Sequence, residues 1–280
     1  MFYLILAILS SAMISVFMRL SEKHISHNIG MLVVNYLICT VMAAVYTGTP
    51  QLFPRTDGLG TALWLGGLSG VLYLVAFVLM QWNVRKNGVV LPATFMKLGV
   101  VVPTLLSILL FRETPSAAQL IGFCGTAVAI LLIHLDGGSG KAGSKLGLLV
   151  LLLLSGFTDF TAKFYEQLGT PELESHYLFY TFLVALVLCV GLMLRKKQRL
   201  GAKELLFGTL VGIPNYFSAR FLLLALGHIP AVAVYPTYSV GTIVAVTCAG
   251  LLLFREKLSK KRMAAMLVIL FSLALLNLSS

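Results

Sequence analysis

The chain has 280 residues, of which 59% are hydrophobic and 11% charged, and its mean hydropathy is +0.95. That composition excludes a water-soluble globular fold. The net charge of +11 would suggest nucleic acid in a soluble protein, but the basic residues fall in short clusters between apolar stretches, so they read as topology signals and no nucleic-acid partner is expected.

A hydrocarbon core of about 30 Å takes about 20 apolar residues per helix. Apolar windows bounded by charge, Pro or Gly predict ten spans, near residues 2–20, 29–47, 60–82, 88–111, 116–135, 146–165, 176–194, 204–227, 231–254 and 261–278. The stretch from Phe2 to Phe17 lacks a basic leader region and is followed by nine similar windows, so it reads as the first span and not as a signal peptide. Cys39, Cys124, Cys189 and Cys248 all lie inside apolar windows without C-x-x-C spacing and read as small packing residues. Neither a metal site nor a cofactor is expected.

Residues 136–145 are Gly- and Ser-rich and fall at the midpoint, so they read as a linker between a first five-helix repeat, 1–135, and a second, 146–280. A shift of about 143 residues tests for duplication. Phe111-Arg112-Glu113 then falls on Phe254-Arg255-Glu256, Gly66 and Gly70 on Gly208 and Gly212, Ser11 on Ser155, Tyr36 on Tyr180, and Arg19 on Lys163. Pro92 comes within one residue of Pro236. Because five is odd, the second half must be inverted relative to the first. The expected fold class is therefore an all-α transmembrane, ten-helix bundle of two inverted repeats.

Counting Lys and Arg by loop orients the chain. The loops after the odd-numbered spans hold Arg19, Lys23, Arg85, Lys86, Lys141, Lys145, Arg195, Lys196, Lys197, Arg199, Lys203, Arg255, Lys257, Lys260, Lys261 and Arg262, which is sixteen. The opposite loops hold two, Arg55 and Arg112. That excess puts the odd loops in the cytoplasm and both termini outside a cell inner membrane.

Two five-span halves, each with an apolar span ending in Phe-Arg-Glu and followed by a small-residue span such as Gln119-Leu120-Ile121-Gly122, resemble the drug/metabolite transporter superfamily, in particular its EamA-type ten-helix members. The resemblance implies a compact bundle with a central cavity that moves a small metabolite by alternating access. Many members have cytoplasmic termini, and the charge count here departs from that pattern.

Ionisable side chains inside a span are costly and face a cavity or a partner. Lys97 lies near the centre of the fourth span, Asp159 and Lys163 in the second half of the sixth, and Arg220 in the second half of the eighth. Lys97 and Arg220 are the candidate cationic contacts for an anionic or zwitterionic substrate. Under the repeat they map to Val240 and Phe77, so the shared scaffold does not require them. At 1.5 Å per residue, Arg220 should lie about 10 Å further toward the outside than Lys97. Asp159 and Lys163, spaced i and i+4, either neutralise one another or form an ion-coupling site.

Tyr36, Asn215, Tyr216 and Tyr238 are the polar and aromatic candidates for completing a binding pocket. Pro92 and Pro236 are expected as paired hinges, since an intramembrane proline removes a backbone hydrogen bond. Gly66/Gly70 and Gly208/Gly212 carry the small-residue spacing of close helix packing. His24, His27, His134, His176 and His228 are scattered near span ends, and no H-E-x-x-H, Walker or G-x-S-x-G motif is present. The expected function is secondary transport of a small molecule across the bilayer by a monomer or homodimer. A membrane-embedded enzyme or lipid-handling protein is the alternative, and a channel, which would want a ring of equivalent groups, is the third.

Overall fold

In a computed structural model the protein is described at residues 1–102, 142–226, 228 and 231–255, and at positions 106, 117, 118, 121, 125, 263, 264, 266–268, 270–272 and 275. Among the described residues the helices are α1 (Phe2–Ser21), α2 (Asn28–Tyr46), α3 (Leu59–Asn87), α4 (Val90–Leu98), α5 (Ala142–Leu168), α6 (Glu174–Arg195), α7 (Ala202–Leu226) and α8 (Ala231–Leu253), with a 3-10 turn, Pro171–Leu173, before α6. α1–α3 and α5–α8 fall on the predicted spans one to three and six to nine, and α4 covers only the start of the fourth. The fifth and tenth spans, both Phe-Arg-Glu ends and the linker fall mainly outside the described residues. Phe2–Ser21, Asn28–Tyr46, Leu59–Asn87, Lys145–Ala162 and Pro171–Arg195 are each long and apolar enough to cross a membrane.

The helix surfaces invert the usual soluble pattern. Ile5, Leu9, Val41, Trp64, Val187 and Leu252 are exposed, which suits contact with lipid and would be untenable in water. Between helices the contacts are close and carry polar groups, as expected where lipid is as apolar as leucine and packing must hold the bundle together.

Pairwise contacts fix the direction of each helix. α1 and α7 are antiparallel: Tyr3 stacks on Phe221 at 6.3 Å at one end and His24 on Phe207 at 5.5 Å at the other. α7 and α2 are parallel, since Gly208 abuts Val34 and Gly212 abuts Ile38. α2 and α6 are antiparallel, because the Cys189 thiol lies 3.6 Å from the Ile29 carbonyl while Leu52, just past α2, accepts from the Tyr180 hydroxyl at 2.7 Å. α6 and α3 are parallel, with Gly66 beside Tyr180 and Gly70 beside Val184. α3 and α5 are antiparallel, with Asn83 on the Gly147 carbonyl at 3.1 Å and Ser69 on Thr161 at 2.7 Å. Following that chain of directions, α5 runs opposite to α1, so the second half is inverted.

Packing partners obey the same two-fold relation. α1 packs on α7 as α5 packs on α3, α2 on α7 as α6 on α3, and α1 on α8 as α5 on α4, while α2·α6 and α4·α8 are their own equivalents. Gly70 and Gly212 show why the spacing is needed: an added Cβ would come 2.5 Å from the Thr181 carbonyl oxygen and 2.9 Å from that of Asn35.

The fourth span is not one continuous helix. Pro92 is the third residue of α4, in the first turn, where a helix has no intrahelical use for the missing N–H. The interruption comes seven residues later. Gly99 and Val100 leave the α-helix, and their amides reach back three residues, to Met96 at 3.3 Å and Lys97 at 3.4 Å. The paired-hinge expectation finds α8 helical through position 236, and the Pro236 side chain lies outside the described residues.

Candidate functional site

Where α4 stops, it meets α5 backbone to backbone. A Cβ on Gly99 would fall 2.4 Å from the Ser155 hydroxyl and 2.7 Å from the Gly156 nitrogen, and one on Gly156 would fall 2.4 Å from the Gly99 oxygen. Ser155 lies 2.8 Å from the Met96 carbonyl and 3.0 Å from that of Leu152, sharing its one proton between them. The crossing holds the last turn of α4, and with it Lys97, against the centre of the bundle.

A cavity of about 90 Å³ opens there, room for several waters. Its polar lining comes from both halves: Ser11 and Ser15 on α1, Tyr73 on α3, Lys97 on α4, Ser155, Thr158 and Asp159 on α5, Asn215 and Ser218 on α7, and Tyr238 and Thr242 on α8. Met18, Phe77, Met80, Met96 and Leu222 supply apolar wall.

Lys97 projects its ammonium over the Tyr238 ring, 3.7 Å from the centroid. A cation on an aromatic face gains about 1–2 kcal/mol when desolvated. The Tyr238 hydroxyl is in turn 2.8 Å from that of Ser218, so α4, α8 and α7 are joined through one ring. Asp159 lines the same cavity. Among the described residues the two form no direct ion pair. A cation and a carboxylate thus face one small space inside the membrane.

Of the other candidates predicted from sequence, Asn215 lines the cavity and donates to Asn35 at 3.2 Å. Arg220 is not among the lining residues. Its guanidinium lies 4.2 Å from the Tyr46 ring centroid, with a long contact of 3.5 Å to the Tyr216 hydroxyl. Tyr46 ends α2, so Arg220 is held toward the end of the bundle that carries the 47–58 loop. Tyr216 stacks on Tyr46 at 5.5 Å and belongs to that cluster. Tyr36 is fully buried, edge-on to Phe77 at 5.9 Å, and does not line the cavity. The Lys163 side chain lies outside the described residues, so its i, i+4 relation to Asp159 does too.

The hydroxyls of Ser11, Ser15, Ser155, Thr158, Ser218 and Thr242 were not foreseen. The repeat held a partial signal, since Ser11 and Ser155 are equivalent and both line the cavity. Cys39 and Cys189 are buried as expected, Cys248 is exposed, and Cys124 and His134 lie outside the described residues. Among the described residues no group of three His, Cys, Asp or Glu could hold a metal ion.

An inverted bundle enclosing a charged, hydroxyl-rich cavity defines a multi-pass membrane protein of the transporter type. Residues 1–135 match the EamA-like transporter family, and residues 176–269 match the Small Multidrug Resistance protein family. Both matches support a multi-pass membrane transporter, with residues 1–135 similar to the EamA-like family. It is 23% identical over 271 residues to a protein of Haemophilus influenzae described as uncharacterized, covering 92% of this chain and 91% of that one. Its fold is similar to a solved crystal structure of a protein at a TM-score of 0.64, with 13% identity, over 97% of this chain and 95% of the other.

Proposed function

We propose that this protein is a secondary transporter that moves a small zwitterionic metabolite across the cell inner membrane by alternating access. The observation that carries the reading is that Lys97 and Asp159 line one buried cavity without pairing directly. Two opposite charges that face one space inside a bilayer without pairing with each other are expensive to maintain. A substrate bearing a carboxylate and an ammonium completes both, the carboxylate at Lys97 and the ammonium at Asp159. A plain anion would leave Asp159 facing it, so zwitterions are the better fit.

Alternating access is supported by the inverted halves and by the interruption of the fourth span beside the cavity, since a broken helix at a repeat interface supplies both free carbonyls and a pivot. The division into repeats 1–135 and 146–280 is supported by the family match that ends at residue 135. The excess of basic residues in the odd loops supports both termini outside. Arg220, set toward the outer end on this orientation, would be a second cationic station met before or after the central site. A single chain with both halves suffices for transport, as a monomer or within a homodimer.

The test is uptake and counterflow in proteoliposomes over anionic, zwitterionic and cationic metabolites, comparing wild type with Lys97→Ala and Asp159→Asn. Saturable zwitterion flux, strongly reduced at low substrate concentration in both Lys97→Ala and Asp159→Asn while both variants stay folded, is the expected result. Anion flux untouched by Asp159→Asn would overturn the zwitterion assignment. Flux indifferent to Lys97→Ala would overturn the site.

A further inference from the structure

Threonine in a helix usually returns its hydroxyl proton to the carbonyl four residues back. Thr40, Thr94, Thr158, Thr181, Thr209 and Thr247 do so, at 2.7 to 2.9 Å. Thr242 does not. It is 1% exposed, it lines the central cavity, and its hydroxyl has no hydrogen-bond partner among the described residues. A buried hydroxyl left unmade forfeits the free energy of a hydrogen bond, and here it gives up even the bond to its own helix that its neighbour Thr247, five positions on, makes.

Position adds to this. Thr242 follows Tyr238 by four residues, so both sit on one face of α8, about 6 Å apart along its axis. Lys97 rests on the Tyr238 ring. A substrate carboxylate held at Lys97 therefore lies in the same small cavity that the Thr242 hydroxyl lines.

We infer that Thr242 is a specificity-determining residue, hydrogen-bonding a neutral hydroxyl or amide on the substrate's side chain and so favouring polar zwitterions over their apolar isosteres. The inference rests on the zwitterion reading of the Lys97–Asp159 cavity. A hydroxyl can donate or accept, so either partner suits it. A site built around such a bond discriminates strongly against a ligand that lacks it, because the protein group is then buried unpaired.

The experiment measures counterflow for matched pairs, serine against alanine, threonine against valine and glutamine against norleucine, in wild type, Thr242→Val, Thr242→Ser and Lys97→Ala. Wild type should favour the polar member of at least one pair by about 10-fold or more in kcat/KM. Thr242→Val, nearly isosteric, should bring that ratio to within about 2-fold while still carrying the apolar member, and Thr242→Ser should restore the preference. Retained flux of the apolar member separates lost discrimination from lost folding. A preference unchanged in Thr242→Val, or no preference in wild type, overturns this inference alone. Flux of every pair unaffected by Lys97→Ala, or no flux of any pair, overturns the zwitterion reading and this inference with it.

Discussion

The ammonium of Lys97 lies 3.7 Å from the centroid of the Tyr238 ring, so a cation from the first half of the chain rests on an aromatic from the second. The contact crosses the α4·α8 interface, which the pseudo-two-fold relation maps onto itself. Any rocking of one half against the other must act on it.

The ring and the hydroxyl of Tyr238 can be separated. Tyr238→Phe keeps the face under Lys97 and loses only the bond to Ser218, so kcat/KM should fall by about 2- to 10-fold. Tyr238→Leu removes the face as well, and a further loss of about 5- to 30-fold is expected. Initial-rate uptake in proteoliposomes distinguishes the two. Equal losses would mean that the ring does not position Lys97.

Glycine substitutions test the helix crossings. Gly156→Ala would drive a methyl to 2.4 Å from the Gly99 carbonyl oxygen, and Gly70→Ala to 2.5 Å from that of Thr181. Neither obstacle is a flexible side chain, so each should cost about 1–3 kcal/mol and lower the thermal midpoint in detergent. Gly67→Ala is the control, with nothing within 4 Å of the added carbon, and should be neutral or slightly stabilising. A loss at Gly67 as large as at the other two would mean that crowding at the crossings is not the cause, since helix propensity alone favours alanine.

Apolar windows made the described spans legible to within a few residues because a bilayer imposes a minimum helix length. The repeat was legible because its landmarks, Gly66/Gly70 and Gly208/Gly212, are the places where backbones touch. The cavity was less so. Lys97 and Asp159 stood out because charge inside a span is rare, whereas Ser15, Ser218 and Thr242 are ordinary in membrane helices and reveal themselves only when six helices bring them to one space. Pro92 attracts attention in the sequence as a breaker, but it sits in a first turn, and the interruption of the helix falls at Gly99, where α5 needs the room. Tyr36 and Tyr216 drew attention as polar aromatics, although aromatic packing with Phe77 and Tyr46 accounts for where they lie.

Glu204 offers a prediction away from the cavity. It lies in the first turn of α7 and is 5% exposed. Its carboxylate accepts from the amides of Ser26 and His27, both at 3.1 Å, just ahead of α2. Those donors would otherwise be orphans at a helix start. Glu204→Ala should destabilise by about 1–3 kcal/mol, and Glu204→Gln, which keeps an acceptor but loses the charge, by less. Thermal unfolding in detergent gives the order, and equal midpoints for both variants and wild type would remove the cap from the account.

Arg220 supplies the last test, because its surroundings differ from those of Lys97. Lys97 lines the central cavity, whereas Arg220 lies against Tyr46 and Tyr216 outside it. If substrate meets Lys97 in the state described and Arg220 only in passage, the two substitutions divide differently between kinetic constants. Lys97→Ala removes a contact of the bound ground state, so KM should rise about 10-fold or more. Arg220→Ala should leave KM within about 3-fold and lower kcat instead. Arg220→Lys should recover only part of kcat, since an ammonium keeps the charge but lacks the planar face that stacks on Tyr46. Initial rates over a range of substrate concentrations separate these cases. A KM rise in Arg220→Ala as large as that in Lys97→Ala would put both cations in one binding step and require Arg220 to leave the Tyr46 ring whenever substrate is held.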